Sequence, residues 1–115
     1  NIMQNAKIST NYDTPEAAME GLLQTAVCDS IGWTTDSSVF KTIVVMTDAI
    51  TKCAGDGRIV AITEPHDGLC HVDDNAKYPE GLDLDYPSIG LVGDILRKKQ
   101  ISVIFAISGE DIYQY

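Results

Sequence analysis

The chain has 115 residues, of which 44% are hydrophobic, and this length and composition predict one globular domain with a packed core. Seventeen acidic and eight basic residues give a formal net charge of −9, which argues against nucleic acid as a partner because phosphate binding requires a basic surface. No stretch approaches the roughly 20 apolar residues of a membrane span, and no secretory signal pattern occurs. Since the first residue is Asn1, we expect a piece of a longer protein.

The first predicted element is an amphipathic helix that begins near Thr14. Thr14 can act as the N-cap, and Pro15 and Glu16 suit the first turn of the helix. The apolar residues that follow recur at helical spacing and form one stripe: Met19, Leu22, Leu23, Ala26 and Val27. This pattern predicts a helix that buries one face in the core.

A strand is predicted next, from Val39 to its end at Thr47 and Asp48. Its centre, residues 43–46, is continuously apolar and β-branched, which is typical of a strand that is covered on both faces. The region from Ala49 to Asp85 is rich in Gly, Pro and Asp. It predicts loops that contain a tight turn at residues 55–57 and one short strand at "RIVAIT", residues 58–63.

The last two predicted elements are a helix within "YPSIGLVGDILRKKQ" and a strand over residues 101–108. Pro87 suits the first turn of this helix, and the three consecutive cations at residues 97–99 complement the negative end of its dipole. Its predicted apolar face is formed by Ile89, Val92, Ile95 and Leu96. The alternation of helices and strands predicts an α/β fold, part of a doubly wound, mostly parallel sheet.

Oxygen-bearing side chains are predicted to gather at the carboxyl edge of this sheet. Asp48 follows a strand, and Asn11, Asp13 and Glu16 precede or begin a helix that would start at the same edge if residues 5–10 form a strand. Carboxylates held 4 Å apart would repel by about 4 kcal/mol at an effective dielectric constant near 20. A hard cation such as Mg²⁺, Ca²⁺ or Mn²⁺ would reverse that repulsion. Taken singly, the same residues also suit a helix start, turns and a strand-end cap.

Other site types have weaker support. A zinc site could be formed by Cys53, His66, Cys70 and His71. It is disfavoured because the adjacent residues Cys70 and His71 point apart and no Cys-x-x-Cys pair exists. Residues 55–58 lack the Gly-Lys-Ser/Thr ending of a phosphate-binding loop, and residue 16 is Glu where an EF-hand loop needs Gly. Three cysteines leave one unpaired, so composition alone does not settle the redox compartment.

Several motifs in one order resemble the ligand-binding domain of integrin beta subunits, an I-like domain related to the von Willebrand factor A fold. They are Asn11-x-Asp13-x-Pro15-Glu16, "CDSIGW", "TDA" at residues 47–49, "AGDGRI", "PHDGLCHV" and "DYPSIGLV". The resemblance covers nearly all of the chain from about residue 6. It implies a partial I-like domain over residues 1–115, with upstream strands and a downstream helix missing.

The resemblance implies a central Mg²⁺ (or Mn²⁺) site flanked by two Ca²⁺ sites. Glu16 would bridge the central site and one flanking site, to which Asn11, Asp13 and the main-chain carbonyl of Pro15 would belong. Asp48 would lie between the central metal and the other flanking site. The family's Asp-x-Ser-x-Ser sequence, which supplies most of the central ligands, does not occur in these 115 residues.

The resemblance also implies a pairing for the cysteines. Cys28 and Cys70 match two cysteines that form a disulfide in the family, and closing a loop of this length would contribute roughly 4 kcal/mol in the chain-entropy model. Cys53 falls where the family has an apolar residue, which implies a buried free thiol.

The implied function is adhesion, not catalysis. An integrin alpha subunit would pair with this chain, and an acidic residue of an extracellular-matrix or cell-surface protein would bind the central ion. The location would be the extracellular part of a single-pass protein of the cell membrane. Two alternatives stay open: an intracellular metal-dependent hydrolase that uses Asp48 and Glu16, and a related module of a secreted matrix protein.

Overall fold

The computed structural model describes residues 13–73, 75, 77–79 and 81–109. Its main elements are helix α1 (Ala18–Val27), strand β1 (Lys41–Thr47), helix α2 (Ile89–Lys99) and strand β2 (Ile101–Ile107). Two short 3-10 helices occupy Asp29–Ile31 and Asp56–Val60. This order confirms the predicted α/β class and the predicted positions of both strands. The strand expected at residues 5–10 lies outside the described residues.

The two strands form a parallel pair. Lys41 lies opposite Ile101, and Thr47 lies opposite Ile107 at the other end of the pair. Since both strands run in the same direction, their carboxyl ends meet at one edge of the sheet, where the Ser108 N–H donates to the Thr47 carbonyl at 3.0 Å. The predicted parallel sheet is therefore confirmed, and this edge is where a ligand site was expected.

Helix α1 packs its apolar stripe into the core, as predicted. Met19, Leu22 and Leu23 cluster with Val92 of α2, and Leu23 is fully buried. Residues that pack against this cluster from the sheet and from α2 are Ile43, Val45, Val103, Ile95 and Leu96. Burying a leucine side chain of this kind stabilises the fold by roughly 2 kcal/mol, so α1 is the main anchor between the sheet and α2.

The start of α1 differs from the prediction. The helix begins at Ala18 rather than near Thr14, and its N-cap residue, Ala17, makes no side-chain cap. The reason is a long-range contact: the Glu16 N–H donates to the Ile50 carbonyl at 2.8 Å, and Glu16 forms an isolated parallel bridge with Thr51. An extended backbone at Glu16 is incompatible with a helical first turn, so Pro15 and Glu16 precede the helix.

Helix α2 is capped by Ser88. The Ser88 side chain accepts a hydrogen bond from the Leu91 N–H, and Val92 is buried on the inner face. Ile89 was predicted on that face but is 64% exposed, because it is the first residue of the helix and lies outside the contact with α1. The basic last turn at residues 97–99 is present as predicted.

The short strand predicted at residues 58–63 is wrong. Residues 58–60 belong to the 3-10 helix Asp56–Val60, and the preceding Gly55 has a φ of +107°, which glycine adopts at little cost. The buried Asp85 carboxylate holds this turn, because it accepts hydrogen bonds from Gly55 N–H at 2.6 Å and from Gly57 N–H at 2.8 Å. A Cβ at Gly57 would lie only 2.6 Å from Asp85 Oδ1, so a larger residue there would push the carboxylate away from this turn.

The outer face of β1 is another departure. Burial alternates along the strand, and Val44 and Met46 on the outer face are 52% and 73% exposed. Within the described part of the chain, β1 is therefore covered by α1 on one face only.

A disulfide joins Cys28, just after α1, to Cys70 in the long loop, with an S–S distance of 1.99 Å and a sequence separation of 42. This is the pairing that the resemblance implied. Cys53 is a free, partly buried thiol. Burial, with a smaller contribution from the Asp56 carboxylate, raises the pKa of Cys53.

Candidate metal site

Asp48 lies where β1 ends, at the carboxyl edge of the sheet. Its side chain is exposed, and the residues on either side of it are tied together, since the Ala49 N–H donates to Thr47 Oγ1 at 3.4 Å. Gly109, just after β2, approaches closely with a φ of +99°; a Cβ there would lie 3.5 Å from the Asp48 carbonyl. The carboxylate therefore projects from an edge that both strands define.

Glu16 reaches the same edge through its backbone. Its N–H and carbonyl form hydrogen bonds of 2.8 Å with Ile50 and Lys52, and the Thr51 hydroxyl accepts the Met19 N–H at 3.0 Å. The loop after β1 thus fixes Glu16 just before α1. Glu16 and Asp48 both line the groove that runs between α1 and β1, from residue 16 to residue 25 on one side and from residue 43 to residue 48 on the other. These two predicted residues therefore lie on the same surface.

Asp13 has a partner that the sequence did not suggest. Lys52 Nζ lies 2.8 Å from Asp13 Oδ2, and this ammonium also lies 5.7 Å from the centre of the Tyr86 ring. The hydrogen bond to Asp13 is the main cause of the raised pKa of Lys52. Nothing in local sequence distinguishes Lys52 from other cations, because its contact depends on the pairing of Glu16 with Thr51.

Pro15 and Asp13 line a second cavity together with Lys52 and Tyr86. The predicted residues therefore divide between two neighbouring surfaces, with Glu16 and Asp48 on one and Asp13 and Pro15 on the other. Asn11 lies outside the described residues. We call Asp13, Glu16 and Asp48 the acidic rim.

The acidic rim offers, on two neighbouring surfaces, the kind of ligand that a hard cation prefers. Its donors are carboxylate oxygens with no sulfur or imidazole among them, which favours Mg²⁺ or Ca²⁺ over zinc. The Lys52 ammonium lies beside Asp13, where a metal ion would bind the same carboxylate. A divalent ion at Asp13 would compete with the Lys52 ammonium for this carboxylate.

The zinc site considered from sequence is excluded in its original form, since Cys70 is in the disulfide. Its two histidines nevertheless meet in a group that we call the histidine cluster: His66, Asp67 and His71. The imidazole rings of His66 and His71 pack edge to face with centroids 5.6 Å apart. Four residues separate the two histidines, a spacing that also occurs in zinc sites, but no Cys-x-x-Cys pair accompanies it, so the loop conformation was needed to place Asp67 with them.

A parallel pair of strands with flanking helices, and acidic side chains at its carboxyl edge, is consistent with an incomplete domain of the von Willebrand factor A class. The family model of the integrin beta chain VWA domain matches residues 1–115. The chain therefore belongs to the integrin beta family, as its motifs indicated.

Relatives from distant animals support this assignment. Human integrin beta-6 is 38% identical over 115 residues, covering 99% of this chain. Integrin beta pat-3 of Caenorhabditis elegans is 40% identical over 114 residues, covering 96% of this chain. Integrin beta-5 of Papio cynocephalus is 36% identical over 107 residues, covering 92% of this chain and 16% of its own length.

The chain spans only 14% of the length of human integrin beta-6 and of pat-3. Among the residues that the structure describes, no helix is both long enough and apolar enough to cross a membrane.

Proposed function

We propose that this chain is part of the ligand-binding domain of a cell-adhesion receptor subunit, which binds acidic motifs of other proteins through divalent cations. The observation that carries the proposal is the match to the integrin beta chain VWA domain over residues 1–115. The groove that Glu16 and Asp48 share at the carboxyl edge of the sheet supports it.

The residues divide into three roles. Glu16 would be a ligand at both a central Mg²⁺ (or Mn²⁺) site and a flanking Ca²⁺ site, and Asn11, Asp13 and the Pro15 carbonyl would hold the flanking ion. Asp48 acts between the central ion and a second flanking Ca²⁺. Further ligands of the central ion come from residues outside these 115.

Bound at the central site, Mg²⁺ supplies a coordination position that accepts a carboxylate oxygen of the ligand. Glu16 is suited to its role because both hydrogen-bonding groups of its backbone are engaged by the loop after β1. The backbone at Glu16 is therefore already ordered, and only the freedom of its side chain is lost when the carboxylate binds an ion. No covalent bond forms or breaks, so the activity is binding rather than catalysis.

Lys52 raises the Ca²⁺ concentration that is needed to fill the flanking site. Its ammonium neutralises Asp13 when Ca²⁺ is scarce and competes with Ca²⁺ for that carboxylate. Because the Asp13 side chain is 51% exposed, this pair is worth less than about 1 kcal/mol, and Ca²⁺ displaces it readily.

The partners follow from the family. An integrin alpha subunit forms the heterodimer that signals on binding, and the ligands are extracellular-matrix or cell-surface proteins with an accessible acidic residue. The domain lies in the extracellular part of a single-pass protein of the cell membrane. A disulfide between Cys28 and Cys70 suits that oxidising location.

The test compares Glu16→Ala with Glu64→Ala in the full-length heterodimer. Glu64 is also an exposed carboxylate, but it lies outside the groove, so it controls for the loss of charge. In Mg²⁺, we expect Glu16→Ala to abolish binding to an immobilised acidic ligand and Glu64→Ala to leave binding unchanged. Chelation should abolish binding by the wild type. Equal binding by the two variants, or binding that survives chelation, would refute the proposal.

The hydrolase alternative gains no support. A metal-dependent hydrolase would need a proton-transfer group beside Glu16 and Asp48. Neither His66 nor His71 lines the groove that holds these carboxylates. Both histidines belong to the histidine cluster.

A further inference from the structure

The histidine cluster combines two imidazoles and one carboxylate within a short loop. One ligand atom from each of His66, Asp67 and His71 can be chosen so that all three lie within 4.8 Å of one another. His71 Nε2 is 2.8 Å from Asp67 Oδ1, and His66 Nδ1 is 3.8 Å from the same oxygen. Tetrahedral Zn²⁺, with bonds of about 2.0–2.1 Å, separates its ligand atoms by about 3.3 Å. The two observed separations lie on either side of that value.

The tautomer of His66 is set by its surroundings. The Gly68 N–H donates to His66 Nδ1 at 2.9 Å, so Nδ1 carries the lone pair. The other nitrogen, Nε2, lies 3.1 Å from Glu20 Oε1 and donates its proton to that carboxylate. The lone pair therefore lies on the nitrogen nearer to Asp67.

A carboxylate behind a histidine is characteristic of metal ligands, because it orients the ring and makes the free nitrogen more basic. Glu20 fills this position from α1 and is itself fixed, since Gln24 Nε2 donates to Glu20 Oε1 at 2.9 Å. The side chains of His66 and Glu20 are only 1% and 10% exposed. A buried pair of this kind is a rigid support for a ligand.

His71 and Asp67 complete the group from the more exposed side. The Gln24 amide oxygen accepts the His71 N–H at 2.7 Å, and the His71 ring stacks on Tyr78 with an interplanar angle of 17°. The side-chain hydrogen bond from His71, followed by the one from the Leu69 N–H, lowers the pKa of Asp67. Because the Asp67 side chain is 40% exposed, an ion can enter from solvent.

We propose that His66, Asp67 and His71 form a site for a borderline-soft transition-metal ion such as Zn²⁺. This site is separate from the acidic rim. Two imidazole nitrogens disfavour Mg²⁺ and Ca²⁺, which prefer oxygen, and favour Zn²⁺. Three protein ligands leave a fourth tetrahedral position for water or another donor. The ion takes the place of the proton that His71 shares with Asp67. It also replaces the hydrogen bond from the Gly68 N–H to His66 Nδ1.

The test measures Zn²⁺ uptake by the full-length protein while Mg²⁺ and Ca²⁺ are held in large excess, so that oxygen-only sites are filled. The variants are His71→Ala and Asp67→Asn, with Asp73→Asn as the matched control. Asp67 and Asp73 each accept a hydrogen bond from the N–H two residues later, at 2.8 and 2.9 Å, but only Asp67 faces the histidines. Asparagine keeps the oxygen that accepts this bond in both cases.

We expect the wild type and Asp73→Asn to bind one more equivalent of Zn²⁺ than His71→Ala. Asp67→Asn should bind that equivalent at least tenfold more weakly. Co²⁺ in place of Zn²⁺ should give the visible absorption of a tetrahedral site in the wild type, and His71→Ala should lose it. Normal Mg²⁺-dependent ligand binding by each variant would show that the protein is folded.

Equal Zn²⁺ stoichiometry and affinity in the wild type and His71→Ala would overturn the proposal. If His71→Ala is misfolded, Asp67→Asn decides, because its side chain is the same size as aspartate. Unchanged Zn²⁺ affinity in Asp67→Asn then overturns the proposal, and a loss that Asp73→Asn does not share supports it.

Discussion

The acidic rim and the histidine cluster are built in opposite ways. Asp48 and Glu16 of the rim are exposed, and their positions are set by backbone contacts at the ends of β1 and α1. His66 is buried, and a network of side chains from Glu20 and Gln24 fixes the cluster around it. An exposed group of carboxylates suits an ion that another molecule must reach, whereas a group supported by one buried, pre-oriented histidine suits an ion that stays. The two regions can therefore be perturbed separately.

The largest expected effect is the destabilisation of the histidine cluster by loss of the disulfide. Replacing Cys28 and Cys70 by serine should cost about 4 kcal/mol, because the disulfide closes a loop with a sequence separation of 42. Hydrogen exchange of the full-length protein should show lost protection in α1 and residues 66–72. Cys53→Ser is the control and should leave protection unchanged. Equal exchange in the double variant and the control would contradict this prediction.

A core substitution should weaken both regions together. Leu23 is fully buried between α2 and the sheet, and truncation to alanine should cost about 3 kcal/mol through lost burial and a cavity. Ile89→Ala is the matched control, since that side chain is 64% exposed and its loss should cost less than about 0.5 kcal/mol. Calorimetric unfolding of the full-length protein measures both. Similar melting temperatures for the two variants would show that α1 is not the shared support.

A substitution of Asp85 should affect the acidic rim rather than the histidine cluster. Burial raises the pKa of Asp85, but hydrogen bonds from the Gly55, Gly57 and Tyr86 N–H groups outweigh it and lower the pKa overall. A carboxylate with a depressed pKa stabilises the fold above about pH 4, and that contribution is lost as the pH falls through the folded-state pKa. We expect Asp85→Asn to cost about 2 kcal/mol at pH 7 and to remove this acid dependence.

Melting temperatures between about pH 3 and pH 7 test this prediction. Asp73→Asn is again a suitable control, because Asp73 accepts hydrogen bonds from N–H groups in an exposed loop. A difference between wild type and Asp85→Asn that stays constant across this range would show that Asp85 does not titrate with unfolding.

The smallest effect concerns Lys52. Replacing it with methionine removes the cation that competes at Asp13, so the Ca²⁺ concentration for half-maximal ligand binding should fall by up to about fivefold. Lys98→Met, at the exposed end of α2, should change this concentration little. An increase in the Ca²⁺ requirement of Lys52→Met would show that Lys52 assists the flanking site instead.

Elements set by local pattern could be predicted from the sequence. The apolar stripe of α1, the two strands and the basic end of α2 follow from side-chain spacing and the helix dipole, and all are present. The strand predicted at residues 58–63 failed because Asp85, far along the chain, holds the preceding glycines in a tighter turn.

The candidate site was harder to predict, for the same reason. Carboxylates near Glu16 and Asp48 were visible in the sequence, but the pairing of Glu16 with Thr51 shifts the start of α1 and brings Lys52 towards Asp13. The histidine cluster depends on a loop held by the disulfide and by Gln24. Contacts between residues more than 30 positions apart decide both regions, and no periodic pattern encodes them.

The free thiol of Cys53 bears on how the chain acquires its covalent structure. Disulfides exchange through attack by a thiolate, and the raised pKa of Cys53 keeps the thiolate fraction small at neutral pH. Once the loop after β1 has formed, Cys53 is therefore a slow nucleophile towards the bond between Cys28 and Cys70. The bond between Cys28 and Cys70 is in this way protected from exchange with Cys53.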